Sequence, residues 1–269
     1  MPPRTGIVVE VCQFLPAVIA TWILSIIERQ PMTTYGFRGG SRMIRLLSGM
    51  FWGFIAISAL VGTLWKLGYV SLGRASLPSG LVMEYAAAWG FVFLMTGLFE
   101  ESLFRGYIQF TLTRGIGFWW GALLFAAIFG LTHRINTGES PIGLVSVVGA
   151  GLFFSLSLWY TGSLWWAVGF HATWDWGQSF FYGTPDSGLI SSGRFLEAHP
   201  RGPLIWSGGA TGPEGSVLVL LWLAVMAVLM VLWWGRRLRS PFAGGAWRPK
   251  KDLVPGAPLQ PSWSDAPYR

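Results

Sequence analysis

Apolar runs long enough to cross a bilayer, repeated along the chain, constrain this sequence more than any other feature. A spanning helix needs about 20 mostly apolar residues. Seven stretches approach that: Val11–Ile27, Leu46–Trp65, Tyr85–Phe99, Phe118–Thr132, Pro141–Tyr160, Ser163–Trp174 and Ser216–Trp234. Five qualify on apolarity alone, while ionisable residues cut the third and sixth short. Of 269 residues only 12% are charged and 52% are hydrophobic, where a soluble domain is about 25% charged. So little charge cannot cover a water-facing surface, which excludes a cytosolic or secreted globular fold and a disordered chain. The 17 Trp residues agree, because Trp concentrates at bilayer interfaces. The expected fold is all-α, a polytopic transmembrane helical bundle of seven to eight spans around a polar cavity. Residues 1–238 form the membrane domain, and 239–269 form a polar, Pro-rich, flexible tail.

The first run does not read as a signal peptide. One Arg precedes it, Glu10, Gln13 and Pro16 interrupt it, and no small-residue cleavage site follows. The single cysteine, Cys12, excludes an intrachain disulfide and reads as an ordinary small core residue. With seven spans, one side of the bilayer carries Arg29, Arg38, Arg42, Arg45, Arg105, Arg114 and the basic tail from Arg236, 13 of the 19 Lys and Arg. The other carries Arg4, Lys66, Arg74, Arg134, Arg194 and Arg201. Basic residues accumulate on the cytoplasmic side, so the C-terminus is expected there, in the cell membrane. Gly183–Gly215 reads as a long linker. Gly117–Gly121 and Gly151–Ser155 are small-residue pairs that permit close helix packing.

Ionisable side chains at membrane depth are expensive and mark function by default. Glu100-Glu101-Ser102-Leu103-Phe104-Arg105 sets two carboxylates in a long helical pattern. Glu101 and Arg105 share a face at i,i+4, and Glu100 points about 100° away. Arg105 can brace Glu101 and leave Glu100 free for general-base work. The pattern from Glu84 to Arg114 would be about 46 Å long, so the alternative, carboxylates solvated at an interface, stays open. His133 closes an apolar run four residues after Phe129, where a lone His is more often structural or interfacial. His171 and Asp175 share a helical face among Trp165, Trp166, Trp174 and Trp176. Glu10, Glu84 and His199 read as solvated. Counted along their helices, Glu100, His133 and His171 fall about 12 to 24 Å from one face of the bilayer. Such a set could line one cavity and activate water.

The three ordered motifs, Glu100-Glu101-xxx-Arg105, Phe129-xxx-His133 and His171-xxx-Asp175, resemble those of the CPBP (Abi) family, which includes the type II CAAX prenyl endopeptidases. The resemblance covers about residues 84–181. It implies an intramembrane endopeptidase with Glu100 as water-activating base, His133 assisting, Glu101 and Arg105 in the paired motif positions, and His171 with residue 175 at the oxyanion. The motif often has Asn at that last position; Asp175 differs, since an ionised carboxylate cannot donate to an oxyanion. Two mechanisms remain. One is a glutamate-type protease with no cofactor. The other is a zinc enzyme with Glu100, His133 and His171 as ligands, the metal lowering the pKa of its water to about 7. No HExxH occurs, and the glutamate reading is preferred. The expected substrate is a membrane-associated peptide or protein near the cytoplasmic face, with CAAX-type processing as one form; no nucleic-acid partner is expected. The rivals are a non-catalytic scaffold or bacteriocin-immunity protein and a proton-coupled transporter.

Overall fold

The computed structural model describes residues 2–74 and 77–243. From residue 244 onward the expected tail lies outside the described residues. The apolar runs become α1 (Pro3–Ile27), α2 (Arg42–Lys66), α3 (Val82–Arg105), α5 (Phe118–His133), α6 (Pro141–Thr161), α7 (Trp165–Trp176) and α9 (Val217–Trp234). Between them lie α4 (Tyr107–Ile116) and the single-turn α8 (Leu204–Ser207). Five helical segments are long and apolar enough to cross a membrane, with α3 and α4 counted as one segment from Ser79 to Ile116. The protein is an integral membrane helical bundle.

Local chemistry sets the boundaries. Ser140 caps α6 by accepting from the Gly143 N–H at 3.0 Å, Pro141 occupies its first turn, and Gly162 ends it in the left-handed region at φ 61°. Ser216 caps α9 in the same way through Leu218 N–H. The long pattern expected through Arg114 breaks at Gly106, whose backbone leaves the helical region. A Cβ there would strike the Ser102 carbonyl, so only glycine permits the break.

α7 is the centre of the bundle. It packs against α2 and α3 on opposite flanks, while α5 pairs with α6 and α6 with α9. α2 and α7 run parallel with backbones nearly touching: a Cβ on Gly49 would hit the Trp166 carbonyl, and one on Gly169 the Leu46 carbonyl. α3 runs antiparallel to α7, since Gly97 faces Val168 while Trp176 Nε1 donates to the Ala86 carbonyl at 3.0 Å. α1 rests chiefly on α3, and its Cys12, expected in the core, is exposed. Thus α1, α3, α6 and α9 run one way and α2, α5 and α7 the other.

The linker 183–215 has structure of its own. Its β2 (Glu197–Pro200) pairs antiparallel with β1 (Val70–Gly73), Val70 opposite Pro200. It is folded over the ends of α3, α5 and α7 that point away from the basic side.

Candidate active site

α3 and α7 bring the two acidic motifs together. Glu101 and Arg105 have no exposed surface and bond at 3.0 Å. Arg105 lies against an aromatic wall, 4.4 Å from the centre of the Phe129 ring and 5.5 Å from that of Phe154. Gly151 of α6 leaves it room, since a Cβ there would sit 2.7 Å from Arg105 Nη2. The same Glu101 oxygen that takes the guanidinium also accepts from His171 Nδ1 at 3.1 Å. Glu101 is therefore shared between the Arg brace and the histidine. Spacing foretold the Arg half of this arrangement; the bond between α3 and α7 follows only from their packing.

With Nδ1 committed to Glu101, His171 turns Nε2 toward Glu100 Oε2 at 3.5 Å and Asp175 Oδ2 at 3.4 Å. Its ring stacks on Phe154 at 5.2 Å and 19°. Glu100 Oε2 is buried with no hydrogen-bond partner. His133 Nδ1 donates to the Phe129 carbonyl at 2.9 Å, which leaves Nε2 as the free ring nitrogen. Glu100, His133, His171 and Asp175 all line one cavity of about 470 Å³. Glu101 and Arg105 lie behind its wall.

Three further acids line it that the sequence did not single out. Glu10 of α1, expected to be solvated, lies beside Thr96 with Oε2 buried and unpartnered. Glu84 and His199 are exposed as expected. Asp186 and Glu214 come from the linker, and with Asp175 they form a group whose ligand oxygens lie within 4.8 Å of one another. Trp174 Nε1 and Ser187 Oγ donate to Glu214 at 2.9 and 2.8 Å. Ser179 Oγ and Gln178 Nε2 donate to Asp186 at 2.8 and 3.2 Å. Burial pushes the Asp186 carboxyl well above its ordinary 3.8, and the Asp175 and Glu214 carboxylates push it further. No motif marks Asp186 or Glu214; only the folded linker makes them neighbours.

The stretch that carries the three motifs also matches a known family. Residues 82–177 match the family model for type II CAAX prenyl endopeptidase Rce1-like proteins. That segment is similar to the Rce1-like proteins. No curated protein and no solved structure matches the chain. The Rce1-like segment begins at the start of α3 and ends just past α7, so it contains all six motif residues. It excludes α1, the linker and α9, and hence Glu10, Asp186 and Glu214. Among the described residues, the only trio of His, Cys, Asp or Glu donors gathered within 4.8 Å is Asp175, Asp186 and Glu214, an all-oxygen set unlike the nitrogen and sulfur donors zinc prefers.

Proposed function

We propose that the protein is a glutamate-type intramembrane endopeptidase that hydrolyses membrane-anchored peptides within this cavity. Glu100 takes a proton from water as the water oxygen attacks the scissile carbonyl carbon, and later gives that proton to the leaving amine as the C–N bond breaks. His171 has Nδ1–H fixed on Glu101, so a protonated ring would present Nε2–H to the developing oxyanion. A protonated Asp175 would be a second donor; as a carboxylate it would instead orient His171. His133 lines the same cavity and assists in holding the water. Glu101 and Arg105 are positioning residues that act through His171.

The observation that carries this reading is Glu100, a cavity-lining carboxylate beside an imidazole with an oxygen that no hydrogen bond claims. The test is cleavage of a quenched, lipid-anchored peptide library by purified protein in bilayers, prenylated and acylated forms side by side. Glu100→Gln and His171→Ala are each expected to lower cleavage by at least about 100-fold, the scale of general acid–base catalysis, while still inserting and folding. A zinc chelator is expected to leave the rate unchanged. Activity surviving in both variants would sink the assignment.

The charge distribution also bears on orientation. The connections that carry most Lys and Arg lie at the ends of α1, α6 and α9, and we place that side in the cytoplasm. Every connecting-segment residue that lines the cavity, Ile135, Asn136, Asp186, Ser187, Leu189, Ser191 and Glu214, belongs to the opposite side. The cavity would then open away from the cytoplasm, a revision of the cytoplasmic substrate expected from the sequence.

A further inference from the structure

The chain has 12 Asp and Glu against 19 Lys and Arg, yet five of those acids line one cavity: Glu10, Glu100, Asp175, Asp186 and Glu214. No Lys or Arg of the described residues lines it. Arg134, between the lining residues His133 and Ile135, is exposed and outside the lining. Arg105 is near, but it stands behind the Phe129 and Phe154 rings and is paired with Glu101. A protein of net charge +7 has thus concentrated negative charge in its candidate reaction chamber.

We propose that this cavity selects substrate segments that carry positive charge, Lys or Arg side chains or a free amino terminus, next to the cleaved bond. The proposal rests on the hydrolytic reading above for the bond that is cut, but the selection itself is a property of the walls. Those walls are built. Glu214 and Asp186 are held by an indole, two hydroxyls and an amide rather than free to swing into water. Each carboxylate oxygen still has accepting capacity beyond those bonds. Gln178, fully buried outside the lining, donates to Asp186 and so holds that carboxylate in place. Packed this closely, the three carboxylates repel one another, and an ammonium or guanidinium placed among them relieves that repulsion. A C-terminal tripeptide of the CAAX kind brings a free α-carboxylate instead, and among the described residues no Lys or Arg lines the cavity to receive it, while five carboxyl groups do. That is discrimination by repulsion as well as attraction.

The experiment uses the full-length protein in phosphatidylcholine nanodiscs with EDTA at low salt. The probes are acyl-anchored peptides of one sequence with Lys-Lys, Gln-Gln or Glu-Glu beside the central bond. Each is made as C-terminal amide and as free acid. Anisotropy reads binding and dequenching reads cleavage in the same samples. The Lys peptide is expected to bind at least about tenfold more tightly than the Glu peptide, on the scale of close charge complementarity. The amide should bind more tightly than the acid. Both preferences should shrink at high salt, in Glu10→Gln, and in the double variant Asp186→Asn/Glu214→Gln. The salt titration needs no variant, and Glu10→Gln lies on a different helix from the linker pair, so misfolding of one variant cannot decide the result. Equal binding of Lys and Glu peptides, no binding of the Lys peptide, or a preference that survives in both variants would overturn the proposal. A Lys preference without cleavage of any peptide would support the selection and count against the hydrolytic reading. Cleavage without charge preference would do the reverse.

Discussion

Arg105 is costly to hold. A guanidinium with no exposed surface has given up its hydration, and one 3.0 Å bond to Glu101 restores only part of it. Its Nε and Nη2 find no hydrogen-bond acceptor, and the face of Phe129 supplies a weaker cation–π contact. Removing one partner should therefore be worse than removing both. Arg105→Met alone is expected to destabilise by about 3–5 kcal/mol, the range for stranding a buried charge. Adding Glu101→Leu should recover most of that loss in a denaturant or thermal unfolding series. It should not recover cleavage, because His171 Nδ1 then loses the oxygen that sets its tautomer. If the double variant were as unstable as the single, or were active, the pair would not be the brace described. Spacing at i,i+4 made the Arg–Glu half of this legible in the sequence. The His171 half was not, because nothing in a linear pattern says which helices become neighbours.

At the scale of elements, the helices were legible because their signals are local: apolar length, Ser or Pro at the start, Gly at the end. Their packing was less so. Gly117–Gly121 and Gly151–Ser155 stood out as small-residue pairs. Gly151 does mark a close approach of α6 to α5, a Cβ there lying 3.0 Å from Ala126 Cβ, but Gly117 lies in a turn with open space beside it, and a Cβ on Gly121 would meet only ordinary contacts. Tighter still is the crossing at Gly49, Gly53 and Gly169, where α2 meets α7. Small-residue spacing recurs too often in apolar helices to choose among pairs without the partner surface. Since α7 bears His171 and Asp175, this crossing sets their depth. Gly53→Leu would drive a side chain into the Phe170 carbonyl and Thr173 Oγ1, and should destabilise by at least about 1–3 kcal/mol and abolish cleavage. Gly62→Leu on the same helix, with open space at its Cβ, should do neither. The β1–β2 pairing escaped the sequence because four-residue strands are too short to show alternation. A second cross-element tie lies on the basic side, where Glu28, just past α1, accepts from Tyr107 at 2.7 Å, Arg114 at 2.8 Å and Tyr35 at 2.9 Å. Partial burial alone would raise the Glu28 carboxyl, but those bonds outweigh it and hold it below its ordinary 4.5. A depressed carboxylate contributes stability that is full above the ordinary value and lost as pH falls through the folded one. The wild type should thus lose thermal stability below about pH 4.5 more steeply than Glu28→Gln, which should already be the less stable at neutral pH.

For the whole molecule, two charge distributions oppose each other across the bilayer. Cationic residues gather where α1, α6 and α9 end, and carboxylates gather in the cavity beneath the linker at the opposite ends of α3, α5 and α7. The first was legible from composition. The second was not, because Glu10, Asp186 and Glu214 belong to no motif and meet only when α1 leans on α3 and the linker folds inward. The two together make sidedness decisive for substrate. If the basic side is cytoplasmic, a prenylated C-terminus made in the cytoplasm would have to cross to the far leaflet to reach Glu100, whereas a basic peptide already translocated would meet the cavity directly. Thiol labelling decides it. In a Cys12→Ser background, Leu189→Cys places a thiol at an exposed residue of the cavity mouth, and Arg38→Cys places one on the exposed connection between α1 and α2. A membrane-impermeant maleimide added to intact cells is expected to label the first variant fully and the second only after permeabilisation. The reverse pattern would put the mouth in the cytoplasm, return CAAX-type substrates to first place on access, and leave the acidic walls as the one remaining argument against them.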